Sequence, residues 1–566
     1  MRNGTELIEP QELAPPGKDE MLFLALGGVG EIGMNASLYG HAGRWLMIDL
    51  GVTFGDQTTP GIDVILPDLS FIEAHRDRLV GLVLTHAHED HLGAIPYVWD
   101  RLRCPIYATP FTANFLRRKL TEEGLAGEAR IHVVAQGARF ALGPFDLEYV
   151  SMAHSIPEPN AIAIRTAVGT LLHTGDWKID PDPVVGPPAD EMRLRELGRD
   201  GVLAMICDST NALVDGATRS EAVLRQSLAE LIGEQRGRVV FTCFASNIAR
   251  LETIAKASAA CGRRVALVGR SLLRMDEVAR ETGYLSDVEP FLGEDMVGYL
   301  PRNEVTLICT GSQGEPRAAL CRIAEDQHRH ITLDPGDVVI FSSRTIPGNE
   351  RSVERLHNLL IRLGVEVVTN RERLVHVSGH PCRDELELMY RWVRPRFAVP
   401  VHGEIKHLHA HCALARECGV EQTVLAENGT VVRITPAGLV PVARVPTGRL
   451  TFDGRRLVPV QGEALAARKR MLSDGAATVT LVIDRAGGIL AEPQISVKGL
   501  TDREEAEELS LDLRDALQEA VEALPRPRRR DDEAVREAAR LTLRRALRGR
   551  YGKRPLIDVH LVRLGV

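Results

Sequence analysis

Short apolar runs separated by polar turns dominate the first part of the chain. MLFLAL (21–26), RWLMIDL (44–50) and LVGLVLTH (79–86) each have the length and apolar content of a buried strand. Each run is followed by polar residues, at the place where side chains leaving a strand converge in the crevice above a sheet. The pattern therefore predicts buried strands with candidate functional side chains at their ends.

From about residue 210 the pattern changes to alternating helices and strands. Amphipathic segments such as SEAVLRQSLAELIGEQ and NIARLETIAKASAACG alternate with apolar runs such as RVVFTCF, RRVALVG, EVTLICTG and DVVIFSS. This alternation is typical of an α/β unit with a parallel sheet. HVSGH (376–380) and RFAVPVHGE (396–404) then return to strands followed by histidine. The first domain is therefore expected to resume after an insertion.

Past about residue 450 the sequence predicts a small α+β module. ATVTLVIDRAGGIL and EPQISVKGL are interpreted as strands, and REEAEELSLDLRDALQEAVEAL and DDEAVREAARLTLRRALRGRYG as amphipathic helices. PRPRRRDDE (525–533) is interpreted as a turn without a fold of its own. The 566 residues then divide into a flexible tail (1–20), a split domain (21–209 and 371–435), an inserted α/β domain (210–370), a linker (436–459) and a C-terminal α+β domain (460–566).

Composition limits the class of protein. Apolar residues make up 44% and charged residues 26% of the chain, which is ordinary globular usage. The net charge of −8 requires any nucleic-acid binding to use a local basic surface. Nine scattered cysteines without a C-x-x-C pair favour a reducing compartment. The polar N-terminus and the lack of a long apolar run predict a cytoplasmic protein that does not bind a membrane.

The segment THAHEDH (85–91) carries the strongest chemical signal. It places His86, His88, Asp90 and His91 directly after an apolar strand, and these residue types at this spacing are typical metal ligands. The segment alone supplies too few ligands for two metal ions. Further candidates that follow apolar runs are His154, Asp176 and His402.

The order of the motifs HAHEDH, SMAHS, TGDWK, CDST, VSGH and PVHGE resembles that of the β-CASP metallo-β-lactamases. Within that superfamily, GGVGEIGMN (27–35), FASNIAR (244–250), TGSQGEP (310–316) and the trailing module resemble the ribonuclease J family. The resemblance covers nearly the whole chain. It implies an α/β fold, with an αββα metallo-β-lactamase sandwich split by an inserted β-CASP domain and followed by a small C-terminal α+β domain.

The resemblance also implies two zinc ions per subunit, with manganese or magnesium as further candidates for supporting activity. By this resemblance His86, His88 and His154 hold one zinc, Asp90, His91 and His402 hold the other, and Asp176 bridges them and takes part in catalysis. Two zinc ions about 3.5–4 Å apart lower the pKa of water and stabilise in-line attack on phosphorus.

Several further residues receive roles from the same motifs. His380 is expected to donate a proton or hydrogen bond to the phosphate, and Asp208 to orient a histidine. Pro381 and Trp177 depart from the usual family residues without removing a ligand. The residues expected to bind the RNA substrate are Ser246, Asn247, Ser312, Ser378, Gly379 and His380.

Gly28, Gly30 and Gly33 spell G-x-G-x-x-G, the nominal dinucleotide fingerprint. The following residues, EIGMNASLYG, predict a strand where a pyrophosphate would need a helix. A loop beside the metal site is therefore expected there.

The family resemblance implies a 5′-to-3′ exonuclease that prefers 5′-monophosphorylated RNA and also cuts internally, in RNA decay and in maturation of ribosomal and messenger RNA. Single-stranded RNA, a homodimer or homotetramer, and RNA-degradation proteins are the partners it implies. The last helix is expected to contact RNA or to pack and self-associate. Its basic side carries Arg536, Arg540, Arg544, Arg545 and Arg548, and its apolar side Val535, Ala539, Leu543, Ala546 and Leu547.

Other functions fit parts of the pattern. A β-CASP nuclease acting on DNA would share the metal ligands, and a non-catalytic RNA-binding scaffold would share the fold. The ribonuclease J motifs disfavour the first, and the intact ligand set disfavours the second. Hydrolases of small molecules, such as lactamases, also carry the HxHxDH motif. The inserted domain disfavours that function, because it is expected to cover the site with a long cleft suited to a strand.

Overall fold

The computed structural model describes residues 6–56 and 58–565. They form two compact units, one within 1–54 and 64–450 and the other within 55–63 and 451–566. Both units combine helices and strands. The domain boundaries that were placed from the sequence pattern stay predictions. No helix in the described ranges is both long and apolar enough to cross a membrane.

The part of the first unit before residue 210 alternates short strands with helices. Its strands are β1 (Met21–Gly27), β2 (Val29–Gly30), β3 (Ala36–His41), β4 (Arg44–Ile48), β5 (Thr53–Phe54), β6 (Val64–Pro67), β7 (Leu79–Val83), β8 (Ile106–Ala108), β9 (Ile131–Val133), β10 (Arg139–Leu142), β11 (Phe145–Ser151), β12 (Asn160–Thr166), β13 (Gly169–His173) and β14 (Ala204–Asp208). Its helices are α1 (Ser70–Ala74), α2 (Glu89–Leu92), α3 (Ile95–Leu102), α4 (Pro110–Glu122) and α5 (Glu191–Asp200). Three of these strands, β1, β4 and β7, coincide with the first three apolar runs.

The inserted segment folds around a five-stranded parallel sheet of order β16-β17-β15-β18-β19. Its elements are α6 (Glu221–Gly233), β15 (Val239–Thr242), α7 (Ile248–Ala260), β16 (Arg264–Val268), α8 (Arg270–Glu281), β17 (Val305–Cys309), α9 (Ala319–Ala324), β18 (Val338–Phe341), α10 (Glu350–Arg362) and β19 (Glu366–Val368). The predicted alternation of helices and parallel strands is therefore confirmed.

After the insertion the chain returns to the first sheets. The returning elements are α11 (Arg383–Val393), β20 (Phe397–Val401), β21 (Gly403–Glu404), α12 (Ile405–Glu417), β22 (Gln422–Thr423), β23 (Thr430–Thr435) and β24 (Gly438–Arg444). β20 pairs in parallel with β14, so that Asp208 lies opposite Val401. The residues before and after the insertion thus lie on neighbouring strands, which explains how a split domain forms one sheet.

Two sheets pack face to face to form the core of the first unit. One has the order β24-β23-β1-β3-β4-β7-β8-β9 and the other β10-β11-β12-β13-β14-β20-β22. Their shared core includes Phe23 and Ile48 from the first sheet and Ile162 and Val399 from the second. Helices α5, α11 and α12 pack on the outer face of the second sheet, and α1 packs on β4 in the first. This is the αββα sandwich that the sequence predicted.

The segment 436–459, predicted as a linker, is mostly strand. β24 pairs antiparallel with β23 across a tight turn between Thr435 and Gly438, and β25 (Arg449–Asp453) and β26 (Arg456–Pro459) follow. Strand β24 contains Pro441, which cannot donate a hydrogen bond to a ladder. β24 is an edge strand, and an edge position tolerates proline.

The predicted N-terminal tail is only partly described, because residues 1–5 lie outside the described ranges. Pro10–Glu12 form one 3-10 turn. The amide of Ile8 donates to the carbonyl of Arg444 at 2.9 Å. The described part of the tail therefore contacts strand β24.

The second unit is an α+β module with a three-stranded sheet of order β28-β27-β29. Its main elements are α13 (Glu463–Asp474), β27 (Ala476–Ile483), β28 (Ile489–Lys498), α14 (Arg503–Glu522), α15 (Arg526–Arg529), α16 (Asp532–Tyr551) and β29 (Leu556–Arg563). Two interpretations from sequence were wrong. ATVTLVIDRAGGIL is not one strand but most of β27, a turn and the start of β28, because Gly487 adopts a φ of 89° and the amide of Gly488 donates to Asp484. Segment 525–533 contains the short helix α15.

Helix α16 buries its apolar side inside its own unit. Val535, Ala539, Leu543 and Leu547 pack in a core with residues of α14 and β27. Arg544, Arg545 and Arg548 on the other side are at least partly exposed. The apolar side therefore packs within the module, and a role of the basic side in RNA contact or self-association stays a prediction.

Candidate metal centre

The predicted metal ligands lie directly after strands of the two facing sheets. His86 and His88 follow β7 in one sheet, and His88 immediately precedes helix α2. His154, Asp176 and His402 follow β11, β13 and β20 in the other sheet. Because these strand ends meet at one edge of the sandwich, residues more than 300 positions apart in the chain become neighbours, as in the 3.2 Å contact between Asp90 and His402.

The first ligand group consists of His86, His88, His154 and Asp176, whose ligand atoms all lie within 4.8 Å of one another. Nε2 of His86 and Nε2 of His154 lie 3.0 Å and 3.1 Å from Nδ1 of His88. Oδ2 of Asp176 is 3.9 Å from Nε2 of both His86 and His154. Three imidazoles and one carboxylate thus surround a common point.

The second ligand group consists of Asp90, His91, Asp176 and His402. Nε2 of His91 lies 3.2 Å from Oδ2 of Asp176 and 3.6 Å from Oδ2 of Asp90. Nε2 of His402 lies 3.2 Å from the same Asp90 oxygen. Asp176 belongs to both groups, so its carboxylate is placed to bridge two metal ions.

The charges of these residues fit metal binding. Burial lowers the pKa of His88 to about 4 and holds the pKa of His86 and His154 well below the usual value, so all three rings are neutral, as metal ligation requires. Burial is the largest single effect on the pKa of His91 and His402 and would lower both, but the surrounding carboxylates, Asp176 first among them, together outweigh it and raise both. The carboxylates therefore attract positive charge. Neutral imidazoles beside buried carboxylates are a donor set typical of zinc proteins.

Asp49 supports the candidate metal centre and was missed by the sequence reasoning. It follows β4, is 1% exposed, and accepts hydrogen bonds from the amide and hydroxyl of Thr85 at 2.8 Å. Its Oδ2 also lies 2.7 Å from Nδ1 of His91. Nδ1–H therefore donates to Asp49, so that Nε2 of His91 carries the lone pair a metal would need, which in the structure lies 3.0 Å from Nδ2 of Asn35. The polar end of the run RWLMIDL was the signal that could have found it.

Thr210 orients His402 in a similar way. The Thr210 hydroxyl donates to Oδ1 of Asp208 at 2.7 Å, and it lies 2.7 Å from Nδ1 of His402. Since the hydroxyl proton already points to Asp208, Nδ1–H of His402 must be the donor in the second contact. Nε2 of His402 then faces Asp90 as a ligand.

His380 and Asp208 form a pair beside the two ligand groups. Nδ1 of His380 lies 2.8 Å from Oδ2 of Asp208 and 3.9 Å from Asp176. Burial lowers the pKa of His380, but the charges of Asp208 and Asp176 outweigh that effect and raise the pKa above its usual value. The geometry suits a protonated imidazole that is held by Asp208 and presents Nε2–H.

The segment before His380 is held closely against the ligands. The carbonyl of Gly379 accepts from Nδ1 of His154 at 2.6 Å. A Cβ atom at position 379 would lie 2.7 Å from the His154 ring, so only glycine fits there. The hydroxyl of Ser378 accepts from Nδ2 of Asn211 at 2.9 Å and from the amide of His380 at 3.1 Å.

The other predicted substrate-binding residues lie outside these groups. Ser246 and Asn247 precede helix α7, and Oδ1 of Asn247 caps that helix by accepting from the amide of Arg250 at 2.9 Å. Ser312 follows β17 and is 3% exposed. None of the ligand groups among the described residues contains these three side chains. Their role in phosphate binding stays a prediction.

The glycine-rich segment forms no dinucleotide site. Strands β2 and β3 follow Gly28 instead of a helix, as the sequence predicted. The carbonyl of Gly28 accepts from the amide of His402 at 2.7 Å. This loop therefore supports the metal centre.

Comparison with known families agrees with this geometry. Four family models match: "Metallo-beta-lactamase superfamily" over 29–234, "Ribonuclease J, beta-CASP domain" over 236–360, "Zn-dependent metallo-hydrolase RNA specificity domain" over 364–425 and "Ribonuclease J C-terminal domain" over 463–564. Ribonuclease J of Sinorhizobium meliloti is 44% identical, with 96% of this chain and 98% of that protein covered. The chain belongs to the ribonuclease J family.

Other members of the ribonuclease J family are similar over comparable lengths. Ribonuclease J of Mycolicibacterium smegmatis is 40% identical, with 98% of each chain covered. A solved structure of a protein of unknown function from Enterococcus faecalis V583 matches the fold with a TM-score of 0.52 and 17% identity over 73% of this chain and 100% of that one. Membership of the family makes this chain a metal-dependent ribonuclease, as the sequence predicted.

Proposed function

We propose that the chain is a two-zinc ribonuclease that degrades single-stranded RNA from the 5′ end, prefers a 5′ monophosphate and also cuts internally. The observation that carries the proposal is the pair of ligand groups that share Asp176 and adjoin His380 and Asp208. His86, His88 and His154 would hold one zinc, and Asp90, His91 and His402 the other. Manganese and magnesium are alternative activating metals at the same ligands.

The chemistry divides between the metals and the protein. Bound at these ligands, two divalent ions would lower the pKa of water and stabilise the charge that develops on the phosphate. Asp208 holds Nδ1 of His380, so that Nε2–H can donate to a phosphate oxygen or to the leaving oxygen. The raised pKa of His380 keeps that proton available near neutral pH.

The preference for a 5′ monophosphate implies which bond breaks. Each round must leave a 5′ monophosphate on the shortened RNA if the next round is to start from the same kind of end. Water therefore adds to phosphorus, and the bond between phosphorus and the 3′ oxygen of the released nucleotide breaks. That 3′ oxygen is the group to which His380 would supply a proton.

The proposed RNA path runs along the segments that lead to the metal centre. Ser378 and Gly379 lie next to His380, and Ser246, Asn247 and Ser312 lie at strand or helix ends of the inserted domain. Their hydroxyl, amide and backbone N–H groups are suited to RNA phosphates. RNA is favoured over DNA because the model of an RNA specificity domain matches 364–425, which contains Ser378, His380 and His402.

The proposal extends to the cellular setting. All nine cysteines are free, which fits a reducing cytoplasm. There the chain would act in RNA decay and in maturation of ribosomal and messenger RNA, as a homodimer or homotetramer with RNA-degradation partners. Sedimentation of the full chain and of a form truncated before residue 450 tests self-association. The same oligomer in both forms would contradict a role of the C-terminal unit.

The proposed activity is tested with one 3′-labelled RNA in 5′-monophosphorylated, 5′-triphosphorylated and 5′-hydroxyl forms, beside the matching single-stranded DNA. The metal-loaded protein should release mononucleotides fastest from the monophosphorylated RNA. Internal cutting should yield a labelled 3′-terminal fragment of intermediate length from RNA whose 5′ end is blocked. Cleavage of DNA alone would favour the DNA nuclease, and no cleavage by metal-loaded protein would favour a scaffold.

A further inference from the structure

Arg344 is an exposed arginine beside the His380 segment. It follows strand β18 of the inserted domain, and its Nη1 donates to Oδ1 of Asn211 at 2.9 Å. This contact uses one of the five N–H donors of a guanidinium. Within residues 6–56 and 58–565 no carboxylate lies within ion-pair distance of Arg344. The other N–H donors and the uncompensated positive charge are therefore available to a ligand.

Asn211 connects Arg344 directly to the catalytic segment. It is 2% exposed, and its Nδ2 donates to the hydroxyl of Ser378 at 2.9 Å and to the carbonyl of His380 at 3.1 Å. One buried side chain thus links the guanidinium to the backbone of His380. A group bound by Arg344 would be held at a defined offset from the imidazole of His380.

The loop that carries Arg344 is also fixed from the other side. Nε2 of Gln313 donates to the carbonyl of Arg344 at 2.9 Å, and Oε1 of Gln313 accepts from the amide of Ile346 at 2.8 Å. Gln313 is 5% exposed. The motif TGSQGEP therefore holds this loop through a buried amide, and Arg344 is anchored at both its backbone and its guanidinium.

Arg344 differs from two other cations near the site residues, because those two form ion pairs within the protein. Lys178, two residues after Asp176, pairs with Asp180 at 2.7 Å. Lys406, four residues after His402, pairs with Glu404 at 2.8 Å. Arg344 has no such partner among the described residues. In a chain of net charge −8, an unpaired arginine next to a nuclease site is suited to an anion, and its planar fork matches phosphate oxygens.

We propose that Arg344 binds a phosphate of the RNA backbone next to the phosphate that is cleaved. The inference rests on the proposed function and adds a substrate contact to it. Arg344 contributes binding energy. It also aligns the RNA with the catalytic site, because Asn211 fixes the position of Arg344 relative to His380. The contact is to the charged backbone and is therefore independent of base sequence.

The test compares Arg344→Gln, Arg344→Lys and the matched control Arg362→Gln, which removes a charge from an exposed position in helix α10 of the same domain. kcat and KM are measured on 5′-monophosphorylated single-stranded RNA between about 50 and 200 mM salt. Arg344→Gln should raise KM about tenfold with little change in kcat. It should also flatten the slope of log(kcat/KM) against log[salt] by about 0.7, the value for one phosphate contact to a single strand.

Arg344→Lys should keep the salt slope, because lysine keeps the charge, and should raise KM less than glutamine does. A lower kcat with an unchanged slope in Arg344→Gln would overturn the proposal, since Arg344 would then act only by positioning Asn211 and His380. Wild-type kinetics, or an equal effect of Arg362→Gln, would also overturn it.

Failure of the proposed function gives a different result. If the wild-type protein cleaves no RNA, ribonuclease activity itself is refuted. The same variants and salt series are then applied to equilibrium binding of the 3′-labelled RNA. If Arg344→Gln does not change the salt dependence of RNA binding, the phosphate contact is refuted independently of cleavage.

Discussion

Nδ1 of His380 lies 2.8 Å from Oδ2 of Asp208, although the two residues are separated by the whole inserted domain. Asp208 ends strand β14 before the insertion, and His380 follows the last strand of the insertion. The pair therefore forms where the chain returns to the first sheets after the insertion. This placement links catalysis to the architecture of the split domain.

His380→Ala should reduce RNA cleavage and spare the metals. His380 lies beside the two ligand groups and donates to Asp208, so its loss removes a proton donor without removing a member of either group. We expect kcat to fall by about 10²–10⁴-fold, with metal content by elemental mass spectrometry unchanged. His330→Ala, at an exposed histidine of the inserted domain, is the control. Full activity of His380→Ala would refute the assignment.

Asp208→Asn should change the pH dependence of cleavage. The charge of Asp208 raises the pKa of His380, and the proposed role requires the protonated ring. Without that charge the pKa of His380 falls, so the ring loses its proton at a lower pH. As the pH is raised, activity should therefore decline earlier in Asp208→Asn than in the wild-type protein. Profiles of kcat against pH for both proteins measure this shift. An alkaline limb at the same pH in both would show that Asp208 does not set the protonation of His380.

Asp49→Asn should weaken metal binding without removing a ligand. Asp49 accepts from Nδ1 of His91 at 2.7 Å and from Thr85, and such partners of a ligating histidine typically contribute about 10–100-fold in metal affinity. Competition with a chelator measures the loss. Asp200→Asn, at an exposed aspartate, should retain wild-type affinity. Equal affinity in Asp49→Asn would mean that the hydrogen bond to His91 contributes nothing.

Arg250→Met should destabilise the protein. Arg250 is wholly buried, pairs with Glu221 at 2.7 Å and donates to the carbonyl of Ser342 at 2.8 Å. Removing the guanidinium leaves Glu221 buried without its charge partner, which should lower the free energy of unfolding by about 3–5 kcal/mol. Arg225→Met removes a partner of Glu252 at a half-exposed position and should cost about 0–1 kcal/mol. Urea unfolding compares the two, and similar losses would contradict the argument.

Local apolar pattern and motifs were enough to predict the central strands and the candidate ligands that the structure brings together. The strands β1, β4 and β7 are continuous apolar runs, and ligands such as His86, Asp176 and His402 directly follow apolar runs. Asp49, Thr210 and Asn211 were missed because their roles depend on side-chain contacts across strands that are distant in sequence. An aspartate or threonine after a strand is equally typical of a turn, so only the fold distinguishes the two roles.

The errors in the fold also have physical causes. Strand β24 lies in the segment that was predicted as a linker, and its Pro441 is tolerated because an edge strand does not need that N–H. The hairpin turn between β27 and β28 was interpreted as strand, although Asp484, Gly487 and Gly488 are residue types typical of turns. Strand β29 was missed because its short run alternates apolar with polar residues, although the turn residues Gly552 and Pro555 precede it.

The most direct test of the account measures metal content and RNA cleavage together in the wild-type protein and in Asp176→Ala. Asp176 is the one residue that belongs to both ligand groups. We predict two zinc ions per wild-type chain, and in Asp176→Ala a loss of bound metal together with a loss of RNA cleavage. RNA cleavage at the wild-type rate by the variant, or by wild-type protein stripped of metal, would contradict the central claim that these ligands carry a two-metal ribonuclease site.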